Sequence, residues 1–346
     1  MSARATNHTI LFLLSFELIS GLISFTIGGP NGAWVFWLHG IVGFSLVALT
    51  VWKRRIIMRS FARRGAGIWS VAPIVLALIF IGALITGALW GFLGRGSVEL
   101  PGYGNVRLLV IHTTLGLAIT VPLIIHAAAR WPRNPRVTDF RSRRAALRLF
   151  AVGAAGLALW GTARATAPSL GQSPRFTGSR EQGSHQGNAH PVTQWLFDSR
   201  QQIDRERWRL RVGGAASHAL TLGYEEVTAL ANTPTESTLD CTGGWYTTQR
   251  WSGVPLSTLL KLVEPDESAR SIVITSATGY SRRFPLDEAD RLLLATHVQD
   301  EPLSSGHGAP LRLVAPNRRG YQWVKWVVAV EISDKPSWWQ SPLPLQ

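Results

Sequence analysis

The chain of 346 residues contains one cysteine, Cys241. A single cysteine cannot form an internal disulfide, so a small scaffold held together by disulfides is excluded. Acidic residues are scarce in the first part of the chain, where residues 1–161 contain only Glu17, Glu99 and Asp139. Long apolar runs are in turn missing from residues 162–346, which have the mixed composition of an ordinary soluble domain. The chain therefore divides into two regions of different physical character.

The positive charge is concentrated in the first region. Residues 1–161 carry 16 lysines and arginines against three acidic residues, which is about +13 of the formal net charge of +14. A strongly basic chain can indicate nucleic-acid binding. Here the basic residues lie in short loops between apolar runs, a pattern typical of membrane topology. We therefore expect membrane lipid as a partner, and no nucleic acid.

Five apolar runs occupy the first region, at residues 10–28, 34–52, 69–93, 107–128 and 148–161. The first four reach or approach the ~20 residues that cross a hydrocarbon core of ~30 Å. The fifth run is shorter and rich in Ala and Gly, which makes it a weak span. The sequence predicts an all-α membrane helix bundle of about five spans over residues 1–161.

Loop charges predict the orientation of this bundle. The 53–68 loop has six basic residues, and the segment after the fourth run has seven against one acid, whereas loops 29–33 and 94–106 carry no net charge. Basic loops remain in the cytoplasm. With five crossings, the pattern predicts a multi-pass protein of the cell membrane whose C-terminal domain is extracytoplasmic.

A pair of arginines lies between the fourth and fifth runs. Arg143 and Arg144, followed by a weakly apolar Ala/Gly stretch, resemble a twin-arginine signal placed inside the chain. Such a signal would suit a domain that folds around its cofactor before export. Two further arginines on the cytoplasmic side are the alternative interpretation.

Three histidines within the apolar runs are candidate haem ligands. His39 and His112 each lie five residues after the outer end of a run, so we expect them at similar depth. Facing imidazoles from two helices can coordinate the iron of a b-type haem. His126 lies 14 residues after His112, about 21 Å deeper on the same helix face, and a second haem there would need His8 as the partner ligand. The alternative is that these histidines, like Glu17, form hydrogen bonds between helices; Glu17 could also protonate a quinone.

The second region predicts a linker and one folded domain. Residues 162–190 are rich in Ser, Gly, Gln and Arg, with almost no apolar periodicity, which predicts a flexible linker. Residues 191–346 combine a helix-like stretch at 254–263 with short strand-like runs, which predicts an α+β domain with one core. The strand-like runs are 208–212, 271–276, 292–298, 311–315 and 324–332.

The most informative segment surrounds the single cysteine and reads LDCTGGWY over residues 239–246. A strand-like run ends at Cys241, and the small residues that follow permit the close approach of a large ligand. A thiolate is a soft ligand, suited to a metal that is already held by sulfur atoms. For an isolated cysteine, a buried structural role is the alternative.

The segments around and after this cysteine favour the metal ligand. They are residues 241–245, 251–256, 264–265, 306–313 and 316–326. In the same order, these segments resemble the molybdenum-cysteine and pterin-binding segments of the sulfite oxidase superfamily, particularly the methionine sulfoxide reductase molybdenum catalytic subunit. The resemblance covers roughly residues 190–335 and implies a sulfite-oxidase-type fold with a Mo-molybdopterin cofactor, fused to a cytochrome b-like membrane domain.

The resemblance also implies roles for individual residues. Cys241 would bind molybdenum beside the two dithiolene sulfurs of the pterin, and we expect Trp245 and Tyr246 to line an open substrate pocket. For Arg312 the alternative is a solvated strand arginine. The residues implied to hold the pterin and its phosphate are His190, Thr193, Ser276, His307, Arg312, Trp323, Val324 and Lys325.

Together these features predict a membrane-anchored molybdopterin-dependent oxidoreductase. Sulfite-binding arginines are not recognisable beside Cys241, and the end of the chain soon after Ile332 predicts that no dimerisation domain is present. Both points favour the branch that resembles the methionine sulfoxide reductase, and they do not identify the substrate. The leading hypothesis is reduction of an S-oxide or N-oxide on the outer face by quinol, through a haem b. One alternative is oxidation of sulfite or a similar small compound, with electrons passed into the membrane. Another is a non-catalytic electron-transfer or scaffold protein.

Overall fold

The computed structural model describes residues 3–64, 71–94, 96–100, 104–130, 140, 142–167, 174–193, 199–231 and 233–344. The chain divides into two compact units. Residues 1–24 and 31–180 form the first unit, and residues 25–30 and 181–346 form the second. The first unit is helical, whereas the second has the mixed sheet structure that the sequence predicts.

Five long helices make up most of the described part of the first unit, and all five are long and apolar enough to cross a membrane. Large apolar side chains such as Phe12, Leu78 and Ile124 are exposed on their surfaces, the reverse of a water-soluble helix bundle. The predicted helical region is confirmed. The helices are α1 (Ala3–Ser24), α2 (Ala33–Arg64), α3 (Val71–Leu93), α4 (Leu108–Arg130) and α5 (Arg143–Thr166).

Helix α5 is longer than the apolar run from which it was predicted. Its first residue is Arg143, because the Ser142 side chain accepts a hydrogen bond from the Ala145 N–H at 3.1 Å and caps the helix. Arginine and alanine are strong helix formers, so the helix extends beyond residues 148–161 in both directions. The arginine pair thus begins a helix, and its role as an export signal stays a prediction.

A short antiparallel hairpin that the sequence analysis did not predict lies between α3 and α4. Its strands are β1 (Ser97–Leu100) and β2 (Gly104–Arg107), with Val98 paired to Val106. Two four-residue strands leave too short a pattern for alternation to be recognised.

Two β-sheets build the second unit. The six-stranded sheet contains β3 (Arg180–Glu181, at the boundary of the units), β6 (Thr233–Cys241), β7 (Trp245–Pro255), β10 (Leu293–Val298), β11 (Glu301–Pro302) and β12 (Arg312–Val314). Its order is β11-β10-β7-β3, with β12 also paired to β10 and β6 to β7.

The five-stranded sheet contains β4 (Arg209–Gly214), β5 (Leu220–Gly223), β8 (Ser271–Ser276), β9 (Ser281–Pro285) and β13 (Val327–Ser333). Its order is β5-β4-β13-β8-β9, and the pair of β13 with β4 is parallel. The unit also has helices α6 (Tyr224–Leu230) and α7 (Leu256–Val263).

One hydrophobic core joins the two sheets and α7. Ile274 of the five-stranded sheet, Trp251 and Leu294 of the six-stranded sheet, and Leu259 of α7 are all fully buried in it. On α7 the buried residues recur at helical spacing, which turns one apolar stripe towards this core. The predicted α+β class is confirmed.

The expectation of a flexible linker is wrong for residues 174–190. Arg180–Glu181 form strand β3, and the Gln182 N–H donates to the Tyr246 carbonyl at 2.8 Å. His190, at the end of this segment, is 2% exposed. Long-range strand pairing orders a segment whose composition alone predicts mobility. Residues 168–173 of the predicted linker lie outside the described residues.

Candidate active site

The turn after β6 holds the single cysteine. Cys241 is the last residue of β6 and pairs with Trp245, the first residue of β7. Gly244 has a φ of 88°, a left-handed conformation that favours glycine. The Gly243 N–H donates to the Cys241 Sγ at 3.3 Å, and a Cβ at Gly243 would lie 3.4 Å from that sulfur. The turn therefore packs its backbone directly against the thiol.

The surroundings of Cys241 include several groups that favour a thiolate. The side chain is buried, and burial raises the pKa of the thiol. The Gly243 N–H, the Thr193 hydroxyl and the Arg319 guanidinium act in the opposite direction and lower this pKa. A metal cation at the sulfur would deprotonate it outright. The site is therefore suited to a thiolate that is stabilised by a bound metal.

Two predicted pterin-binding histidines pack against each other, with His190 and His307 ring centroids 4.0 Å apart. The His190 Nδ1 donates to the Gly187 carbonyl at 2.7 Å, so its Nε2 carries the lone pair. That Nε2 has no hydrogen-bond partner among the described residues. The His307 Nε2 donates to the His190 carbonyl at 2.9 Å, and its Nδ1 accepts from Ser304 at 2.7 Å.

Both histidines are neutral at pH 7. Burial, with a smaller effect of His307, lowers the pKa of His190 to about 3. Burial also lowers the pKa of His307 to about 4, assisted by the charges of Arg312 and Lys325. Neutral imidazoles can both accept and donate hydrogen bonds, which a protonated pair could not.

Arg312 lies in the core of this cluster and is only 1% exposed. Its Nη1 donates to the His307 carbonyl at 3.0 Å, and its guanidinium lies over the rings of Trp251 and Trp323, 5.0 and 5.8 Å from their centroids. In the described part of the chain its Nε has no acceptor. Burial lowers the pKa of Arg312 to about 9, so the side chain stays cationic at pH 7. The alternative of a solvated strand arginine is excluded.

Lys325 adds a second cation. Its Nζ donates to the carbonyls of Gly306 and Thr193, at 2.8 and 3.0 Å. The next residue, Trp326, has a φ of 51°, a left-handed conformation that is unusual for a bulky side chain. The Trp326 Nε1 donates to the Ser305 carbonyl at 2.7 Å. Backbone strain of this kind clusters at functional sites.

A buried ion pair beside Cys241 was not predicted. The Arg319 Nη1 donates to the Asp240 Oδ1 at 2.7 Å, with side chains 5% and 1% exposed, and its Nη2 donates to the Cys241 carbonyl at 3.4 Å. Gly320 allows this approach, because a Cβ there would lie 3.1 Å from the Cys241 Cα. Two features of the sequence could have indicated this pair: Asp240 directly precedes the cysteine, and Arg319 lies in the second pterin-like segment without an assigned role. The sequence analysis recognised no sulfite-binding arginine beside Cys241, and the structure places Arg319 there.

Trp245 and Tyr246 do not share a pocket. Successive side chains on a strand point to opposite faces, so Trp245 lies on the face of Cys241, whereas Tyr246 pairs with Asp240 on the other. Trp245 is also 3% exposed, and its Nε1 donates to the Thr193 hydroxyl at 3.0 Å. This corrects the expectation of one open pocket lined by both residues, and Trp245 instead supports Thr193 beside the thiol.

Three other predicted cofactor-binding residues have hydrogen-bond partners within the protein, and their contact with a cofactor stays a prediction. Ser276 is the last residue of β8 in the five-stranded sheet, and its hydroxyl accepts from the Thr278 N–H and hydroxyl in the turn that follows. The Trp323 N–H donates to Gly320, and the Val324 carbonyl accepts from Leu313. Two of the four backbone groups of Trp323 and Val324 are thus used within the protein.

The helical unit brings His39 and His112 together, as the sequence predicts. Their ring centroids lie 6.1 Å apart with an interplanar angle of 79°. The His112 Nδ1 donates to the Ala83 carbonyl at 2.9 Å, which leaves the lone pair on Nε2. Gly87 makes room for this imidazole, because a Cβ there would lie 2.8 Å from the His112 Cε1. His126 lies further along α4, and its role as a ligand stays a prediction.

The residues around Cys241 fit a molybdenum–pterin cofactor. One thiol is available for a soft metal, and Arg312 and Lys325 provide positive charge for an anionic phosphate. The unpaired Arg312 Nε is a buried donor, and the unpaired His190 Nε2 is a buried acceptor. The edge of a pterin ring offers partners for both.

The sequence profile of the family described as "Oxidoreductase molybdopterin binding domain" matches residues 198–340. These residues form a molybdopterin-binding oxidoreductase domain of the sulfite oxidase superfamily. We call residues 198–340 the molybdopterin domain. The match supports an oxidoreductase enzyme rather than a non-catalytic scaffold.

Curated relatives match the same part of the chain. The uncharacterized oxidoreductase YuiH of Bacillus subtilis (strain 168) is 28% identical over 142 residues, 40% of this chain and 72% of that relative. The protein-methionine-sulfoxide reductase catalytic subunit MsrP of Xanthomonas axonopodis pv. citri (strain 306) is 30% identical over 37% of this chain and 45% of that relative. The putative protein-methionine-sulfoxide reductase subunit YedZ1 of Azospira oryzae is 29% identical over 40% of this chain and 53% of that relative.

The chain thus spans about half the length of the reductase relatives that it matches. Among solved structures, the sulfane dehydrogenase SoxCD from Paracoccus pantotrophus is 27% identical, with a TM-score of 0.38, over 39% of this chain and 40% of that chain.

Proposed function

We propose that the chain is a membrane-anchored molybdenum–pterin oxidoreductase in which Cys241 is the protein ligand of molybdenum. The observation that carries this proposal is the buried Cys241 Sγ, which the Gly243 N–H and the Thr193 hydroxyl contact within a molybdopterin-binding domain. When bound, the cofactor supplies two-electron oxygen-atom transfer. The protein holds and orients the cofactor and sets the charge around it.

Each polar residue of the cluster then has a distinct task. Thr193 and Gly243 fix the direction of the Cys241 sulfur, since both contact it. Arg312 and Lys325 would hold the anionic phosphate of the pterin cofactor, and the His190 Nε2 would accept a hydrogen bond from an N–H group of the pterin ring. Buried aromatic rings around Arg312 exclude water, which strengthens these charge-assisted bonds.

The substrate we propose is an S-oxide, or an N-oxide of similar size, that is reduced at the metal. Support comes from the reductase relatives, whose names specify protein methionine sulfoxide. A second candidate is the oxidation of sulfite or a similar small anion. The Arg319 guanidinium beside Cys241 favours it, although the Asp240 carboxylate offsets that charge.

Electrons would reach the molybdopterin domain from the membrane. Five helices are long and apolar enough to anchor the chain, and the basic loops favour an extracytoplasmic domain, exported through the twin-arginine segment. His39 and His112 lie at a spacing suited to the two axial ligands of one haem b, and quinol is the proposed donor. The arrangement would couple quinol oxidation to reduction on the outer face.

Purified protein tests this proposal. The full chain in detergent would be analysed for molybdenum, reduced with dithionite, and mixed with methionine sulfoxide, an N-oxide or sulfite. We expect about one molybdenum per chain and reoxidation by an oxide. Sulfite reducing the oxidised metal, with no reoxidation by any oxide, would favour the second candidate. Protein that carries no molybdenum would contradict both candidates.

A further inference from the structure

An acidic side chain buried between the helices has no task in the function proposed above. Glu17 of α1 is 12% exposed, and its Oε2 lies 3.2 Å from the Nδ1 of His39 on α2. Its Oε1 has no hydrogen-bond partner among the described residues. Burying a carboxyl group among apolar helices is costly, so this position is functional by default.

One face of α1 is built around the His39 imidazole. The Ser20 Oγ lies 2.9 Å from the same Nδ1, and a Cβ at Gly21 would lie 3.4 Å from the His39 Cε1. Residues three and four apart share a helix face, so Glu17, Ser20 and Gly21 all face this ring. Gly43 on α2 leaves room for the acid, because a Cβ there would lie 3.4 Å from the Glu17 Oε2.

The two facing histidines differ in what holds their Nδ1 atoms. His112 donates to the backbone carbonyl of Ala83, a neutral acceptor. His39 has a carboxyl group and a hydroxyl group at the equivalent nitrogen. In metal sites, the group bound to the distal nitrogen fixes the tautomer of a ligating imidazole and raises its basicity, and a carboxylate does so more strongly than a carbonyl.

We infer that Glu17 is a positioning residue for His39 as an axial ligand of the proposed haem. The Ser20 hydroxyl bonds the His39 Nδ1 at 2.9 Å, and the Glu17 carboxyl lies 3.2 Å from the same nitrogen. Together they would keep the hydrogen on Nδ1 and leave the Nε2 lone pair for the iron, and the negative charge of the carboxyl would make the imidazole a stronger donor. This rests on the haem of the proposed function. A stronger donor stabilises ferric iron. Glu17 would therefore keep the midpoint potential of the haem lower than that of a haem whose two histidine ligands both donate their Nδ1 hydrogens to backbone carbonyls.

The test compares variants of the detergent-purified full chain. E17Q keeps the size of the side chain but removes the carboxylate, and E17D is the conservative rescue. E99Q is the matched control, because Glu99 is exposed on β1 and its loss changes the net charge equally. Haem content, the midpoint potential at one fixed pH and the low-temperature EPR spectrum of the ferric haem would be measured.

We expect E17Q to shift the midpoint potential upward and to change the EPR g values, E17D to restore both in part, and E99Q to match the wild type. If E17Q binds no haem, retention in E17D supports the inference, and equal loss in E17D overturns it. A haem-loaded E17Q with an unchanged potential and spectrum also overturns it and leaves the proposed haem intact. Wild-type protein without haem would instead contradict the electron route of the proposed function.

Discussion

The two regions of the molecule bury polar groups in opposite ways. The molybdopterin domain concentrates charge beside its hydrophobic core, where Arg312, Arg319 and Asp240 are each less than 5% exposed. The helical unit instead has a few polar side chains among exposed apolar ones, and His39 and His112 are brought together there. A core built from β-sheets can therefore stabilise a dense charged site by pairing the charges. The described helices instead bury single polar groups, each with a specific partner.

The largest expected effect is the loss of the haem from the helical unit with no change in the molybdopterin domain. His112→Ala should abolish the haem absorption bands and leave the molybdenum content unchanged, because the proposed ligands of the two groups lie in different units. The visible spectrum and metal analysis of the same sample measure both. His218→Ala, at an exposed histidine of the second unit, is the control and should change neither. Loss of molybdenum together with haem would contradict this independence.

The next prediction compares a buried with an exposed ion pair. Asp240→Asn leaves the Arg319 charge unpaired in the interior, which should lower the free energy of unfolding by about 3–5 kcal/mol. Asp300→Asn breaks the exposed pair with Arg250, whose side chains are 68% and 49% exposed, and should cost about 0–1 kcal/mol. Urea unfolding of both variants, followed by tryptophan fluorescence, measures the difference. Equal costs would show that burial does not govern the Asp240 pair.

A smaller effect concerns pH. The pKa values of His190 and His307 are lowered to about 3 and about 4, so below pH 6.5 these two residues bind more protons in the unfolded chain than in the folded one. Stability is therefore lost as pH falls from about 6.5 towards 4, by roughly 1 kcal/mol per histidine and pH unit. Thermal unfolding between pH 7.5 and 5 measures this loss. His307→Gln should flatten the pH dependence, and His218→Gln should not; a profile that His307→Gln leaves unchanged would contradict the assignment.

Local patterns predicted much of the fold. Strand β8 begins and ends at the predicted residues, 271 and 276, because apolar alternation and flanking polar residues define it. Helix α5 was predicted too short, since apolar length does not reveal a serine cap or an arginine-rich first turn. The segment 174–190 was misread as a linker, because its order comes from hydrogen bonds to β7 that no local pattern contains.

The cofactor-binding residues of the site were predicted, because a family resemblance supplied their positions. The buried ion pair was missed, because its two residues meet only in the folded chain. His190, His307, Arg312 and Lys325 do lie together, although they are spread over more than 130 residues. Once the end of β6 was known, the alternation of side chains along a strand could have predicted that Tyr246 and Trp245 point to opposite faces of the sheet. The Asp240–Arg319 pair joins two segments 79 residues apart, and neither segment alone indicates its partner.

The most direct test of the account is the Cys241→Ser variant of the full chain, examined by metal analysis and by the EPR signal of partly reduced molybdenum. The sulfur is proposed to bind the metal, so the variant should lose the wild-type EPR signal and at least about a hundredfold of its activity, more than substitutions beside a ligand usually cost. The haem spectrum of the same sample should be unaltered. A variant with the wild-type EPR signal and full activity would contradict the central claim.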